Sequence, residues 1–422
     1  VTETGGLRAF AVVTAAYWAF MLTDGALRML VLLHFHALGF TPVQLAYLFM
    51  LYEVAGIVTN ISAGWIAARF GLTATLYAGL GLQVLALLAL STLDPAGAAA
   101  SSVLFVMAVQ GASGVAKDLS KMSAKSAVKL LAPSAQGGLF RWVAVLTGSK
   151  NAVKGLGFLL GAALLAVLGF VPAVLAMATV LFAVLVAALL FLPQGLPGVR
   201  RAAKVREVFS QDANINWLSF ARVFLFGARD VWFVVGIPIY FYSVLSDGSI
   251  AGNRSAFFMI GSFMALWIML YGAVQAATPR LFSARTKDDA QIIAQAGKCS
   301  LALCCIPAVL ALLVLWAGAP APWLTVTLVG GLLAFGALFA MNSALHSYLI
   351  LSFSSGDRVT LDVGFYYMAN AAGRLLGTLL SGLCYQIGGV ALCLAVAAIM
   401  LAVNAVGMTR LRPPERQGAK TV

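Results

Sequence analysis

Eight cationic side chains fall inside segments that are otherwise apolar: Arg28, Lys117, Lys121, Lys150, Lys154, Arg222, Arg229 and Arg374. Four carboxylates accompany them, Asp24, Glu53, Asp118 and Asp230. Ionisable groups in such segments are costly, and they line a bundle interior or a water-filled cavity. Eight against four leaves four positive charges in excess, which a dry interior would not hold. Two readings remain. Structural ion pairs combine with lysines that give up their proton, which arginine does not do; or a wet cavity receives a multiply charged anion. Spacing favours the second. Lys117, Lys121 and Lys125 recur every four residues, as do Lys150 and Lys154. Like charges at that spacing repel on a helix, so something anionic answers them. Asp24 and Arg28, also four apart, are placed to pair on one helix face.

The chemistry this implies is binding. Two arginines, Arg28 and Arg229, sit at similar depth and are candidates to grip one oxyanion bidentately. Phosphate and arsenate are the tetrahedral targets. Lys117, Lys121, Lys150 and Lys154 would hold a second anionic group, with Arg374, Tyr366 and Asn370 nearby. Asp24, Glu53, Asp118 and Asp230 would orient these cations or carry coupling protons. His34, His36 and His346 are too scattered for a metal site, and no phosphate-binding loop of the Walker type is present. No catalytic residues, metal or cofactor are expected.

Long apolar helices must position these groups. Of 422 residues, 62% are hydrophobic and 10% charged, against about 45–50% and about 25% in soluble chains. A soluble domain could not hide that much apolar surface, and a disordered chain would not contain it. The net charge of +13 does not suggest nucleic acid, because the basic residues lie between or inside apolar segments rather than on a polar face. Five cysteines, all in apolar stretches, make no disulfide framework and read as buried thiols. The first apolar segment carries Asp24 and Arg28 and lacks a small-residue cleavage site, so it reads as a span and not as a signal peptide.

The pattern predicts an all-α integral membrane protein of twelve spans: 10–36, 43–68, 72–91, 101–130, 137–167, 171–192, 214–244, 254–279, 291–316, 323–351, 358–385 and 388–409. A basic connection at 193–213, with Arg200, Arg201, Lys204 and Arg206, divides them six and six. The expected organisation is a bundle over 1–192, a cytoplasmic linker over 193–213, a second bundle over 214–409 and a cytoplasmic tail over 410–422. Loops on one side carry Arg69, the linker cluster, Arg280, Arg285, Lys287 and Arg358, while the opposite loops carry only Arg254. The positive-inside bias therefore puts both termini in the cytoplasm. DGALR (24–28) matches FGARD (226–230), and NAVKGLG (151–157) matches NAAGRLLG (370–377), which pairs Lys154 with Arg374. Parallel duplication of this kind builds many secondary transporters. Gly155, Gly157, Gly161, Gly373 and Gly377 would allow close helix approach.

Four segments carry a more specific likeness: YWAFMLTDGALRML (17–30), GVAKDLSKMSAKSAVKLL (114–131), RWVAVLTGSKNAVKG (141–155) and RVFLFGARDVWFVVGIPIY (222–240). They resemble the organoarsenical efflux permeases (ArsJ) of the major facilitator superfamily, over nearly the whole chain. The resemblance implies twelve transmembrane helices in two pseudo-symmetric six-helix bundles, alternating access and a bacterial cytoplasmic (inner) membrane location. It implies efflux of 1-arseno-3-phosphoglycerate, giving arsenate resistance. A glyceraldehyde-3-phosphate dehydrogenase would make that compound as metabolic partner, with no physical complex required. The superfamily's gating loop between spans 2 and 3 is matched in part by GWIAARFG (64–71): Gly64, Arg69 and Gly71 fit, while the acidic position is Ala68. The rival readings are an organophosphate/inorganic phosphate antiporter and a proton-coupled exporter of another organic anion.

Overall fold

The computed structural model describes residues 3–93, 99–131, 138–192, 210, 212–281, 288–354 and 359–413. The linker cluster from Arg200 to Arg206, together with Arg285, Lys287, Arg358 and the tail beyond 413, lies outside the described residues. Every described element is helical: α1 (Glu3–Ala37), α2 (Pro42–Leu48), α3 (Met50–Ser91), α4 (Ala99–Leu131), α5 (Gly138–Leu168), α6 (Phe170–Phe191), α7 (Ala213–Phe233), α8 (Gly236–Leu245), α9 (Ile250–Leu281), α10 (Asp289–Ala317), α11 (Pro322–Phe353) and α12 (Val359–Met408). Helices satisfy their own backbone, as a bilayer demands.

These elements make an all-α multi-pass membrane protein. Eleven described stretches are long and apolar enough to cross a bilayer. The last, Asp362–Met408, has 47 residues, about 70 Å of helix and roughly twice a hydrocarbon core. It is two crossings, broken at Gly388 and at Gly389 (φ 61°, ψ −158°). A second break, Gly71 (φ 74°, ψ −179°), ends one crossing of α3 and begins the next. Gly71 lies where the sequence predicts a turn and Gly389 at the predicted start of the last span, and positive φ suits glycine at both. α6 and α10 turn Leu190, Phe191, Leu312, Leu315 and Trp316 outward as lipid-facing surface.

Three expectations need correction. The span predicted as 214–244 is not one helix. Pro238 has no N–H to offer the Val234 carbonyl, and the chain breaks between α7 and α8. Ser381 Oγ of α12 accepts the Val235 and Gly236 N–H groups at 3.0 and 3.2 Å, so the break stays satisfied. The cysteines are not uniformly buried: Cys384 and Cys393 are, but Cys305 is exposed. The third correction concerns the repeat.

In each half a matching pair of helices meets backbone to backbone along a seam. On α5, a Cβ at Gly157 or Gly161 would overlap the carbonyl oxygens of Leu22 and Ala26 on α1. On α12, a Cβ at Gly373 or Gly377 would overlap those of Val223 and Gly227 on α7. The seams therefore align Gly157 with Gly373 and Gly161 with Gly377. On the first helices they align Leu22 with Val223, so Arg28 corresponds to Arg229. Lys154 then corresponds to Asn370, and Phe158 to Arg374, one helical turn away from the sequence match. The short motif misled because its glycines are spaced differently in the two copies.

The halves meet through α5 against α9 and through α12 against α2 and α3. On the face away from the chain ends, Val43 N–H donates to Gln386 Oε1 at 3.3 Å, and His36 packs edge-on against Tyr242 at 4.8 Å. Between the halves, toward the face that carries the chain ends, lies a cavity.

Candidate functional site

The cavity measures about 280 Å³. Its wall includes Arg28 from α1, Lys117 and Lys121 from α4, Lys150 and Lys154 from α5, Arg222 and Arg229 from α7, and Arg374 from α12. All eight mid-span cations thus reach one space. Glu53, Asp118 and Asp230 share the wall, and Asp24 stands behind it. Two-fold arrangement explains the convergence: the seams turn the same face of α1 and α7, and of α5 and α12, toward the centre.

Five charges form an alternating chain across the two halves. Arg28 Nη1 lies 3.2 Å from Glu53 Oε1, and Arg374 Nη2 donates to the same oxygen at 2.5 Å. Arg374 Nε lies 3.6 Å from Asp230 Oδ2, and Arg229 Nη2 lies 2.6 Å from Asp230 Oδ1. Glu53 and Asp230 are each 1% exposed, so their charges rest on these arginines rather than on solvent. Arg374 is the link between halves, reaching from α12 to α3 and to α7.

The sequence expectation that Asp24 pairs with Arg28 is not met. Asp24 Oδ2 accepts from Lys154 Nζ at 3.2 Å, and its other oxygen accepts from Tyr52 at 2.7 Å. Arg28 has turned to Glu53, which takes two arginines at once. Asp118 accepts from Lys121 at 3.3 Å and from the Thr59 hydroxyl. Asn60 Oδ1 also takes Lys121 Nζ, at 3.2 Å.

Leaving Lys150 aside, two of the wall cations have no carboxylate partner among the described residues. Lys117 Nζ rests 4.0 Å above the Tyr52 ring. Arg222 is only 4% exposed. Its Nε donates to Asn370 Oδ1 at 3.0 Å and its Nη1 to the Ser343 carbonyl at 3.3 Å. Its guanidinium lies over Phe226 at 4.0 Å and Tyr366 at 4.8 Å, and such faces attract cations. Tyr366 therefore backs Arg222 and is not part of the wall, a correction to its expected place beside the substrate. Its neighbour Tyr367 is on the wall, as is Asn370.

Neutral hydrogen-bonding groups complete the surface, and sequence reasoning passed over them. Tyr271 and Gln275 come from α9, Ser347 from α11 and Asn151 from α5. Asn151 donates to Gln275 at 3.4 Å, joining the halves. The available signal was weak: an amide inside an apolar span, as at Gln275. Of the expected gating loop, Arg69 is exposed and Gly71 makes the break between crossings, while the surroundings of Gly64 lie outside the described residues. Lys125, Lys129 and Arg141 are likewise on described helices, but their side chains are outside the described set.

No protein-family model matches this chain, and no curated protein matches it. Many solved structures share its fold, among them two of POT family transporters. One is a crystal structure of a POT family transporter in complex with a thioalcohol-conjugated peptide: 15% identity, TM-score 0.70, over 94% of this chain and 95% of that one. The other is a POT family transporter in complex with 5-aminolevulinic acid: 14% identity, TM-score 0.71, with the same coverage. At such identities the likeness is one of fold, and it extends over both halves.

Proposed function

We propose that this chain is a secondary active transporter that exports a small organic anion carrying an oxyanion at each end, with 1-arseno-3-phosphoglycerate as its cargo. The observation that carries this reading is the charge of the cavity: eight cations on the wall face three carboxylates. Where the lysines keep their charge, an excess of that size calls for a wet space that an anion enters. The volume of about 280 Å³ lies just below the range of small-molecule pockets, roughly 300–1,000 Å³, and suits a three-carbon compound. The cargo itself is named by the resemblance of the four segments quoted above. The fold shared with the two transporter structures supports alternating access.

In this reading both termini are cytoplasmic, in a bacterial inner membrane. The cavity, which extends toward the face of the chain ends, would then load from the cytoplasm. Arg28 and Arg229 occupy matched positions and would close on one oxyanion as the halves rock, releasing Glu53 and Asp230. The lysines of α4 and α5 would attract the other oxyanion. Protons or a returning anion would supply the drive.

The test is uptake into everted membrane vesicles of freshly generated 1-arseno-3-phosphoglycerate, against arsenate and 3-phosphoglycerate. Accumulation of the two-ended compound alone is the expected result. Exchange of inorganic phosphate or a sugar phosphate instead would replace this reading with the antiporter one.

A further inference from the structure

The cavity's cations are not equivalent, and the difference tells where an anion docks first. Three arginines already share Glu53 and Asp230, Lys154 has Asp24, and Lys121 has Asp118. An anion binding at any of these must displace a buried carboxylate, which leaves that carboxylate uncompensated. Lys117 and Arg222 have no carboxylate to lose. They belong to opposite halves, α4 and α7.

Their surroundings differ in kind. Arg222 is held from behind and from one edge, by Phe226, Tyr366, Asn370 and the Ser343 carbonyl. Those bonds use two of a guanidinium's five N–H groups. The rest belong to a planar fork beside a neutral, hydrogen-bonding stretch of wall built by Tyr271, Gln275 and Ser347. That combination matches a phosphate-type oxyanion with hydroxyls beside it. Lys117 is a point charge with three free donors above an aromatic face, suited to an anionic group of any shape.

We infer that Arg222 and Lys117 form a two-point docking site that takes the opposite ends of one dianion, Arg222 gripping a tetrahedral oxyanion by its fork and Lys117 receiving the second anionic group. The inference rests on the anion-transport reading and adds which cations bind before the ion chain opens. It makes charge at both ends of the ligand, rather than total charge, the determinant of affinity.

Binding of two stable probes to the purified full-length protein in detergent micelles tests it: propane-1,3-bisphosphonate, and propylphosphonate with one end only. Wild type is expected to prefer the two-ended probe by roughly tenfold to a hundredfold, the worth of one charge-assisted contact. Lys117→Gln should erase that preference and leave propylphosphonate binding as it was. Arg222→Gln should weaken both probes. Because Arg222 is buried, Arg222→Lys serves as a second variant that keeps the charge without the fork. It should bind both probes several-fold less tightly than wild type while eluting as the same monodisperse species. A wild type that prefers the two-ended probe, with the preference intact in Lys117→Gln and unchanged affinity in Arg222→Lys, overturns the docking site and leaves the transport reading standing. A wild type that binds neither probe overturns both.

Discussion

The two halves of the cavity are related by the same seams yet are built from different cations. The first half presents Lys117, Lys121, Lys150 and Lys154, with Arg28 alone of its kind; the second presents Arg222, Arg229 and Arg374 and no lysine. Lysine offers a mobile point charge, arginine a rigid planar fork. The first half also carries three of the four carboxylates, Asp24, Glu53 and Asp118, whereas the second has Asp230 and a neutral wall. A duplicated framework has thus been furnished asymmetrically, with point charges on one side and planar forks on the other. The asymmetry suits a cargo whose two ends are chemically different.

Several substitutions would break or sharpen that contrast. The largest effect is expected at Glu53→Gln, which strips Arg28 and Arg374 of their shared partner and cuts the tie between halves. Breaking a buried pair in this way costs about 3–5 kcal/mol, so a clear fall in thermal midpoint should accompany loss of transport. Next come Arg28→Gln and Arg229→Gln. Each should abolish vesicle uptake with normal membrane insertion, and normal uptake by both would refute the clamp. Gly157→Ala and Gly373→Ala probe the seams rather than the charges. The added methyl meets a carbonyl in both halves, at about 1–3 kcal/mol each, and similar losses in thermal midpoint would show that the framework is shared where the chemistry is not. The smallest effect belongs to Asn151→Ala. It removes one hydrogen bond between the halves, worth about 0.5–1.5 kcal/mol, and should change the uptake rate only a few-fold.

Much of this architecture was legible in the sequence, for a physical reason. A charge inside an apolar run stands out because its burial is so costly, and every cation singled out that way lines the cavity. The breaks at Gly71 and Gly389 fall within a residue or two of the boundaries expected between spans, because apolar runs end where crossings do. Ion-pair partners were not. Glu53 and Arg374 are 321 residues apart in the chain, and nothing local prefers that pairing over the nearer Asp24 and Arg28. The neutral wall was hidden for the opposite reason. Tyr271 and Ser347 are residues that also pack well between helices, so their types carry no signal of a cavity. The register of the repeat was masked too, because the eye follows glycines along the chain, while the structure follows the carbonyls they face.

The seams carry a consequence for how freely such a molecule can change. At Gly157, Gly161, Gly373 and Gly377 any side chain collides with main chain that has nowhere to move. Within a turn on the same helices, Lys154, Phe158, Asn370 and Arg374 line the cavity. Each helix pair therefore has one edge closed by main chain and one edge held by side chains, Lys154 to Asp24, Asn370 to Arg222 and Arg374 to Glu53. A scaffold divided in this way could take on a new cargo by exchanging wall residues together with their partners, its backbone seams left as they were.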